Sequence, residues 1–292
     1  MPFQSFIFHL AFKNKNMKNT KINRSLLGKY ILLASLLIAF WSCDKNTDTG
    51  SHNWKLVWQD EFEGTKGQLP DATKWVFDIG TDWGNKQLEY DTNRAKNASL
   101  DGDGHLAITA MEESYSGCSY TSARINTKGL FEQKYGRFEA RVKMPRGPGL
   151  WPAFWMLGTN YATTGWPQCG EIDIMEYKGQ EPSIVHGTVH GPGYSAGNAI
   201  TKSFSYSNDR FDTDYHVFAV EWTENNVDFF VDDKLYQHVT PNGVTGEWVY
   251  DHSFYIILNL AVGGNYVGYP TSQTSFPQSM LVDYVRVYKE VE

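Results

Sequence analysis

The chain has 292 residues, of which 41% are hydrophobic and 15% aromatic, with a formal net charge of −7. Such a length and apolar content support one domain with a sizeable core, and 17 Tyr, 17 Phe and 10 Trp exclude an intrinsically disordered chain. The acidic balance excludes nucleic acid as a partner, because a polyphosphate is held by an excess of Lys and Arg.

The first 43 residues belong to a different physical regime from the rest. Lys13, Lys15, Lys18, Lys21, Arg24 and Lys29 precede the apolar run Ile31–Trp41, no acid occurs before Asp44, and Cys43 follows Ser42. Basic stretch, short apolar stretch and cysteine make a signal peptide of the lipoprotein type, cleaved before Cys43 and acylated there. Phe40 and Trp41 depart from the small residues usual before such a cleavage, and Met17 is an alternative start. As a membrane span the eleven apolar residues are too few, since crossing a bilayer takes about 20. Residues 44–53 then read as a flexible tether, residues 54–292 as the folded domain, and the product as an exported protein lipid-anchored at a bacterial envelope, on the outer membrane and facing outward. Without the six basic residues, 20 Lys and Arg face 33 acids, a formal charge of −13. That charge disfavours strongly sulfated polysaccharides as well.

From residue 54 onward the pattern is all-β. Short runs rich in β-branched and aromatic residues are broken by Gly, Asn, Asp and Pro, and none sustains a helical period over several turns. Phe138–Met144, Val217–Trp222, Val227–Val231, Phe254–Leu260 and Met280–Tyr288 are predicted strands, and no internal repeat or second module is visible. Trp151 and Trp155, four apart in Trp151-Pro152-Ala153-Phe154-Trp155-Met156, share one face of a strand. Indole faces suit the apolar faces of sugar rings, so these two are candidates for a binding cleft. Cys118 and Cys169 either pair in an oxidising compartment or remain two thiols.

The most informative stretch is Gly170-Glu171-Ile172-Asp173-Ile174-Met175-Glu176. Alternation on a strand puts Glu171 and Asp173 on one face and the isoleucines on the other. Glu176 joins the acids only if Met175 marks a one-residue β-bulge. With that bulge, Glu171 and Glu176 stand roughly 13 Å apart at the backbone, and their side chains can close to about 5–6 Å, the separation used by retaining glycosidases. One carboxylate attacks the anomeric carbon while a protonated partner donates to the leaving oxygen, and crowding of like charges keeps the donor protonated.

These residues, with Gly149–Met156, resemble glycoside hydrolase family 16, in its laminarinase-like branch. Trp58–Phe62, Tyr135–Arg141, Phe218–Thr223, Leu258–Gly264 and Val282–Tyr288 extend the resemblance from Trp54 to Lys289 in the same order. It implies a β-jelly-roll sandwich of two curved antiparallel sheets with an open cleft on the concave face. It also implies Glu171 as nucleophile, Glu176 as general acid/base and Asp173 as the assisting carboxylate. The implied activity is an endo-acting β-1,3- or mixed β-1,3/1,4-glucanase, without a cofactor for catalysis. Asn85, Arg124 and Asn259 match positions reaching toward the cleft, and Glu61 and Asp283 match carboxylates of a structural calcium site on the opposite side. His190 reads as a cleft contact and His186 as structural, two histidines alone being too few for a closed metal site. The chain departs from its relatives at Asp91, where a second tyrosine is usual. Agarases, porphyranases and carrageenases share the bulged motif, and a surface glycan-binding protein can share the jelly roll. The expected state is a monomer.

Overall fold

In the computed structural model, residues 53–291 are described; the signal segment, Cys43 and most of the tether lie outside them. In chain order the strands are β1 (Trp54–Asp60), β2 (Val76–Asp78), β3 (Glu89–Asp91), β4 (Ala98–Leu100), β5 (Leu106–Tyr115), β6 (Cys118–Ser122), β7 (Arg124–Asn126), β8 (Gly136–Lys143), β9 (Leu150–Gly158), β10 (Glu171–Tyr177), β11 (Ile184–His190), β12 (Ile200–Ser205), β13 (His216–Trp222), β14 (Val227–Val231), β15 (Lys234–Val239), β16 (Phe254–Val262) and β17 (Gln278–Glu290). The five strands predicted from alternation correspond to β8, β13, β14, β16 and β17, with ends moved by at most two residues.

The strands form two stacked sheets, the jelly-roll sandwich. One runs β15-β14-β13-β8-β17-β5-β6-β3, with β1 on β17 and β4 on β5; the other runs β12-β11-β10-β9-β16-β7-β2. Neighbours pair antiparallel except β3 with β6 among the described residues. Between the sheets lies one core, to which Phe138, Val220, Trp222 and Val285 contribute from the first sheet and Phe154, Met156, Ile172 and Phe254 from the second. Each such side chain stabilises the fold by roughly 1.5–3 kcal/mol through the apolar area it removes from water.

The seven-stranded sheet also buries part of its outer face. Every residue of β16 is buried, and Leu157, Cys169, Tyr255 and Ile257 form a small second apolar cluster against Trp155. That cluster floors one part of the cleft, beside the polar side chains of β7, β10 and β11. Cys118 and Cys169 are both free thiols, the first half-exposed and the second buried.

Candidate active site

Two glycines set the start of β10. Gly158 and Gly170 approach so closely that the Gly158 N–H donates to the Gly170 carbonyl at 3.2 Å. A Cβ on Gly158 would lie 1.9 Å from the Cys169 carbonyl, and Gly170 has φ +71, with Phe254 2.9 Å from where its Cβ would be. Only glycine fits either position.

The bulge lies between Asp173 and Glu176. Against β9, Asp173 faces Trp155 and Glu176 faces Ala153; against β11 they face Thr188 and His186, so three steps along β10 match two on each neighbour. Ile174 and Met175 are both in the core. They share the inward position that alternation allots to one residue, and Glu176 returns to the face of Glu171 and Asp173.

All three carboxyls are held toward their protonated forms. Burial, then the charge of Asp173, raises Glu171 well above the usual glutamate range, and His190 opposes this. Burial pushes Asp173 up to about 8 against a hydrogen bond with Glu171. Burial and Asp173 push Glu176 up to about 8. The trio therefore titrates as a unit that retains a proton near neutral pH. Within it Glu171 has the more open side chain, 18% exposed against 6% for Asp173. Glu176 is anchored at both oxygens: Trp151 Nε1 donates to Oε1 at 3.1 Å, and the Thr188 hydroxyl donates to Oε2 at 3.3 Å.

His190 stands across from Glu171, its Nε2 lying 3.1 Å from Asp173 Oδ2 and 3.5 Å from Glu171 Oε1. The Asp173 contact is short but off the line of a hydrogen bond, and Oδ2 is buried without another partner. Glu171, Asp173 and His190 gather three potential ligand atoms within 4.8 Å, the only such metal-like group among the described residues. The imidazole's other nitrogen argues against a metal. Nδ1 accepts the Ala196 N–H at 3.2 Å, so the neutral ring carries its proton on Nε2 and offers the carboxyls a donor instead of a lone pair.

Toward β2, Trp155 Nε1 donates to Asn259 Oδ1 at 2.7 Å. The Arg124 guanidinium lies 4.9 Å from the ring centres of both Trp155 and Trp83 and ion-pairs with Asp78 at 2.9 Å. Asn85 is exposed and joins this wall through its carbonyl, which accepts the Asn265 N–H at 2.7 Å. On the other side Tyr266 packs 4.8 Å from Trp151 and edge-on to His186 at 6.1 Å. His186 faces Glu176 across the sheet, yet its charged neighbour is Glu181, at 3.7 Å.

Thr188, Trp83 and Tyr266 escape a reading of the sequence alone. Thr188 is within its reach, lying midway between His186 and His190 at the period of a strand. Trp83 and Tyr266 sit in loops, where no period applies.

Glu61 and Asp283 do not fit the calcium role expected of them. Arg286 grips Glu61 through two hydrogen bonds of 2.8 Å, and Arg141 pairs with Asp283. Ca²⁺ takes six to eight oxygen ligands, whereas these two carboxylates are each spent on a guanidinium, and neither joins a three-ligand group among the described residues.

Comparison with known proteins agrees with this geometry. Residues 79–286 match the family model described as Glycosyl hydrolases family 16. A "Beta-glucanase" of Rhodothermus marinus is 40% identical over 92% of this chain and 97% of its own length. A "Glucan endo-1,3-beta-glucosidase A1" of Niallia circulans is 39% identical over 84% of this chain, which spans only 39% of that larger protein. The crystal structure of the laminarinase catalytic domain from Thermotoga maritima superposes with a TM-score of 0.78 at 44% identity, over 82% of this chain and 100% of that one.

Proposed function

The chain belongs to glycoside hydrolase family 16, and from that premise we propose an endo-acting, retaining β-glucanase that hydrolyses β-1,3-glucan or mixed-linkage β-1,3/1,4-glucan. The observation that carries the mechanism is the paired descent of Ile174 and Met175 into the core, which leaves Glu171, Asp173 and Glu176 on one face. Glu176, protonated by burial, donates to the glycosidic oxygen. Glu171 attacks the anomeric carbon as the bond to that oxygen breaks, giving a covalent glycosyl-enzyme. Glu176, now a carboxylate steadied by Trp151 and Thr188, takes a proton from water, and the hydroxide displaces Glu171 with a second inversion. Asp173 and the Nε2–H of His190 distribute the remaining charge around the nucleophile. Two carboxyls complete this double displacement, and no step calls on a cofactor.

Galactan hydrolysis is not favoured: a beta-glucanase and a glucan endo-1,3-beta-glucosidase match at 39–40% identity, against 36% for a keratan-sulfate endo-1,4-beta-galactosidase. Sizing the products released side by side from laminarin, barley glucan, lichenan and agarose tests the substrate class: short oligosaccharides from the first three and none from agarose are expected. Proton NMR of the first product should show the β anomer. Glu171→Ala should abolish hydrolysis and leave the melting transition in place; normal turnover by that variant would remove the assignment.

The sequence before residue 54 supports export, cleavage before Cys43 and acylation there, which would hold the enzyme at the outer membrane surface. Radiolabelled palmitate should enter the wild-type protein and not Cys43→Ala. A monomer is supported by the supply of all three acids from one chain, and sedimentation velocity on the residue 54–292 portion checks it.

A further inference from the structure

We propose that Trp83 is a sugar-stacking subsite at the β2 end of the cleft, locked in place by Asp91, and that it sets how long a stretch of glucan is gripped. The proposal rests on the β-glucanase reading and goes beyond it by adding a binding residue.

Trp83 lies in the connection between β2 and β3 and is 37% exposed, whereas Trp75 is 2% exposed and Trp222 fully buried. An indole serving the core would resemble those two. Although open to solvent, Trp83 is not free to turn: its Nε1 donates to Asp91 Oδ2 at 2.8 Å, and Asp91 is 2% exposed. The guanidinium of Arg124 lies against its ring and against that of Trp155 at equal distances of 4.9 Å. Trp155 in turn stands opposite Asp173. Trp83, Arg124 and Trp155 thus form a continuous run from the end of the sheet to the acids.

The backbone around Trp83 is unusual. Asp82, Asn85 and Lys86 have φ of +65, +54 and +57, and Gly84 has +105. Non-glycine residues in this region cost on the order of 1 kcal/mol or more each, and they persist where the surroundings hold them, often at ligand-contacting loops. Here the loop presents one indole.

The surroundings also specify the ligand. The Arg124 guanidinium is already paired with Asp78 at 2.9 Å, which disfavours a polyanion. An amphipathic ring with acids and amides around it suits a neutral sugar, whose C–H face stacks and whose hydroxyls find acceptors. The buried Asp91 carboxyl anchors the indole from behind.

The test compares kcat/KM on β-1,3-glucohexaose with that on the trimer. The hexaose-to-trimer ratio should fall about tenfold in Trp83→Ala, as expected for the loss of one stacked ring. Asp91→Leu, which removes the acceptor, should fall similarly, while Asp91→Asn, whose amide oxygen still accepts the indole N–H, should keep most of the ratio. An unchanged ratio in Trp83→Ala overturns the proposal, and because Trp83 is at the surface, this variant decides the matter even if Asp91→Leu does not fold. A wild-type protein inactive on every glucan would instead remove the β-glucanase reading. In that event, affinity electrophoresis of wild type and Trp83→Ala in gels containing laminarin or agarose decides: equal retardation in both gels overturns the subsite, and weaker retardation of the variant in either supports it.

Discussion

Ala196 holds a left-handed backbone, φ +50, that alanine rarely adopts, and from there its N–H fixes the His190 tautomer. The consequence is a proton on Nε2 facing Asp173 and Glu171. His190 lowers Glu171 against the effect of burial, so His190→Ala should let the nucleophile's pKa rise further. Glu171 must be ionised to attack; the acidic limb of the kcat/KM profile should therefore move to higher pH. Activity at the optimum should drop by about a hundredfold, typical for one donor lost from a charge-stabilising site. A full pH profile of the variant checks both. Glu176 carries a second, separable prediction. Its folded pKa is raised from 4.5 to about 8, so over that interval the folded protein keeps a proton that the unfolded chain releases. Stability from this group is complete below the unfolded value and is lost as pH rises through 8. Glu176→Gln never ionises. Its melting temperature should match the wild type near pH 4 and exceed it by a few degrees at pH 9, as calorimetry at the two pH values would reveal.

At the scale of elements, the site depends on one surplus residue in β10. Deleting Met175 leaves Ile174 alone in the inward position and restores strict alternation, with Glu176 still on the face of Glu171 and Asp173 but one step nearer to them along the strand. The core loses one buried side chain, which costs roughly 2–5 kcal/mol, so the deletion should lower the urea midpoint, while hydrolysis should persist at a reduced rate because the three acids still share a face. Met175→Leu conserves volume and should cost under about 1.5 kcal/mol with activity retained. Urea unfolding and a reducing-sugar assay measure both variants. The same bulge marks how far the sequence can be read. Alternation alone locates β8, β13, β14, β16 and β17, because a strand with one wet face writes its period into the chain. It also poses the Glu176 problem correctly, since three acids at spacings of two and three admit one face only with an extra residue. What alternation cannot supply is contact across long separations. Arg286 takes Glu61 over 225 residues, a pairing fixed by the register of β1 on β17, so the expected calcium carboxylates are instead committed to guanidinium partners. Trp83 is illegible for the related reason that its loop's positive φ values leave no periodic trace.

For the molecule as a whole, charge constrains the substrate more than shape does. Without the six basic residues of the amino-terminal segment the formal charge is −13, and in the cleft the Arg124 guanidinium is already paired with Asp78 at 2.9 Å. A neutral glucan crosses this field without electrostatic cost, whereas a sulfated chain meets repulsion that decays only over the Debye length, about 8 Å at physiological salt. The two ligand classes should therefore answer oppositely to ionic strength. KM on laminarin should change by less than about twofold between low salt and half-molar NaCl, because no counterions are exchanged when a neutral polymer binds. Inhibition by dextran sulfate should be feeble at low salt and grow as screening removes the repulsion. Reducing-sugar kinetics with and without the sulfated polymer measure both trends. Inhibition that instead weakens with salt would mean that Arg124 governs the local field despite its acidic neighbours, and the preference for neutral glucans would then have to come from stacking and hydrogen bonding alone.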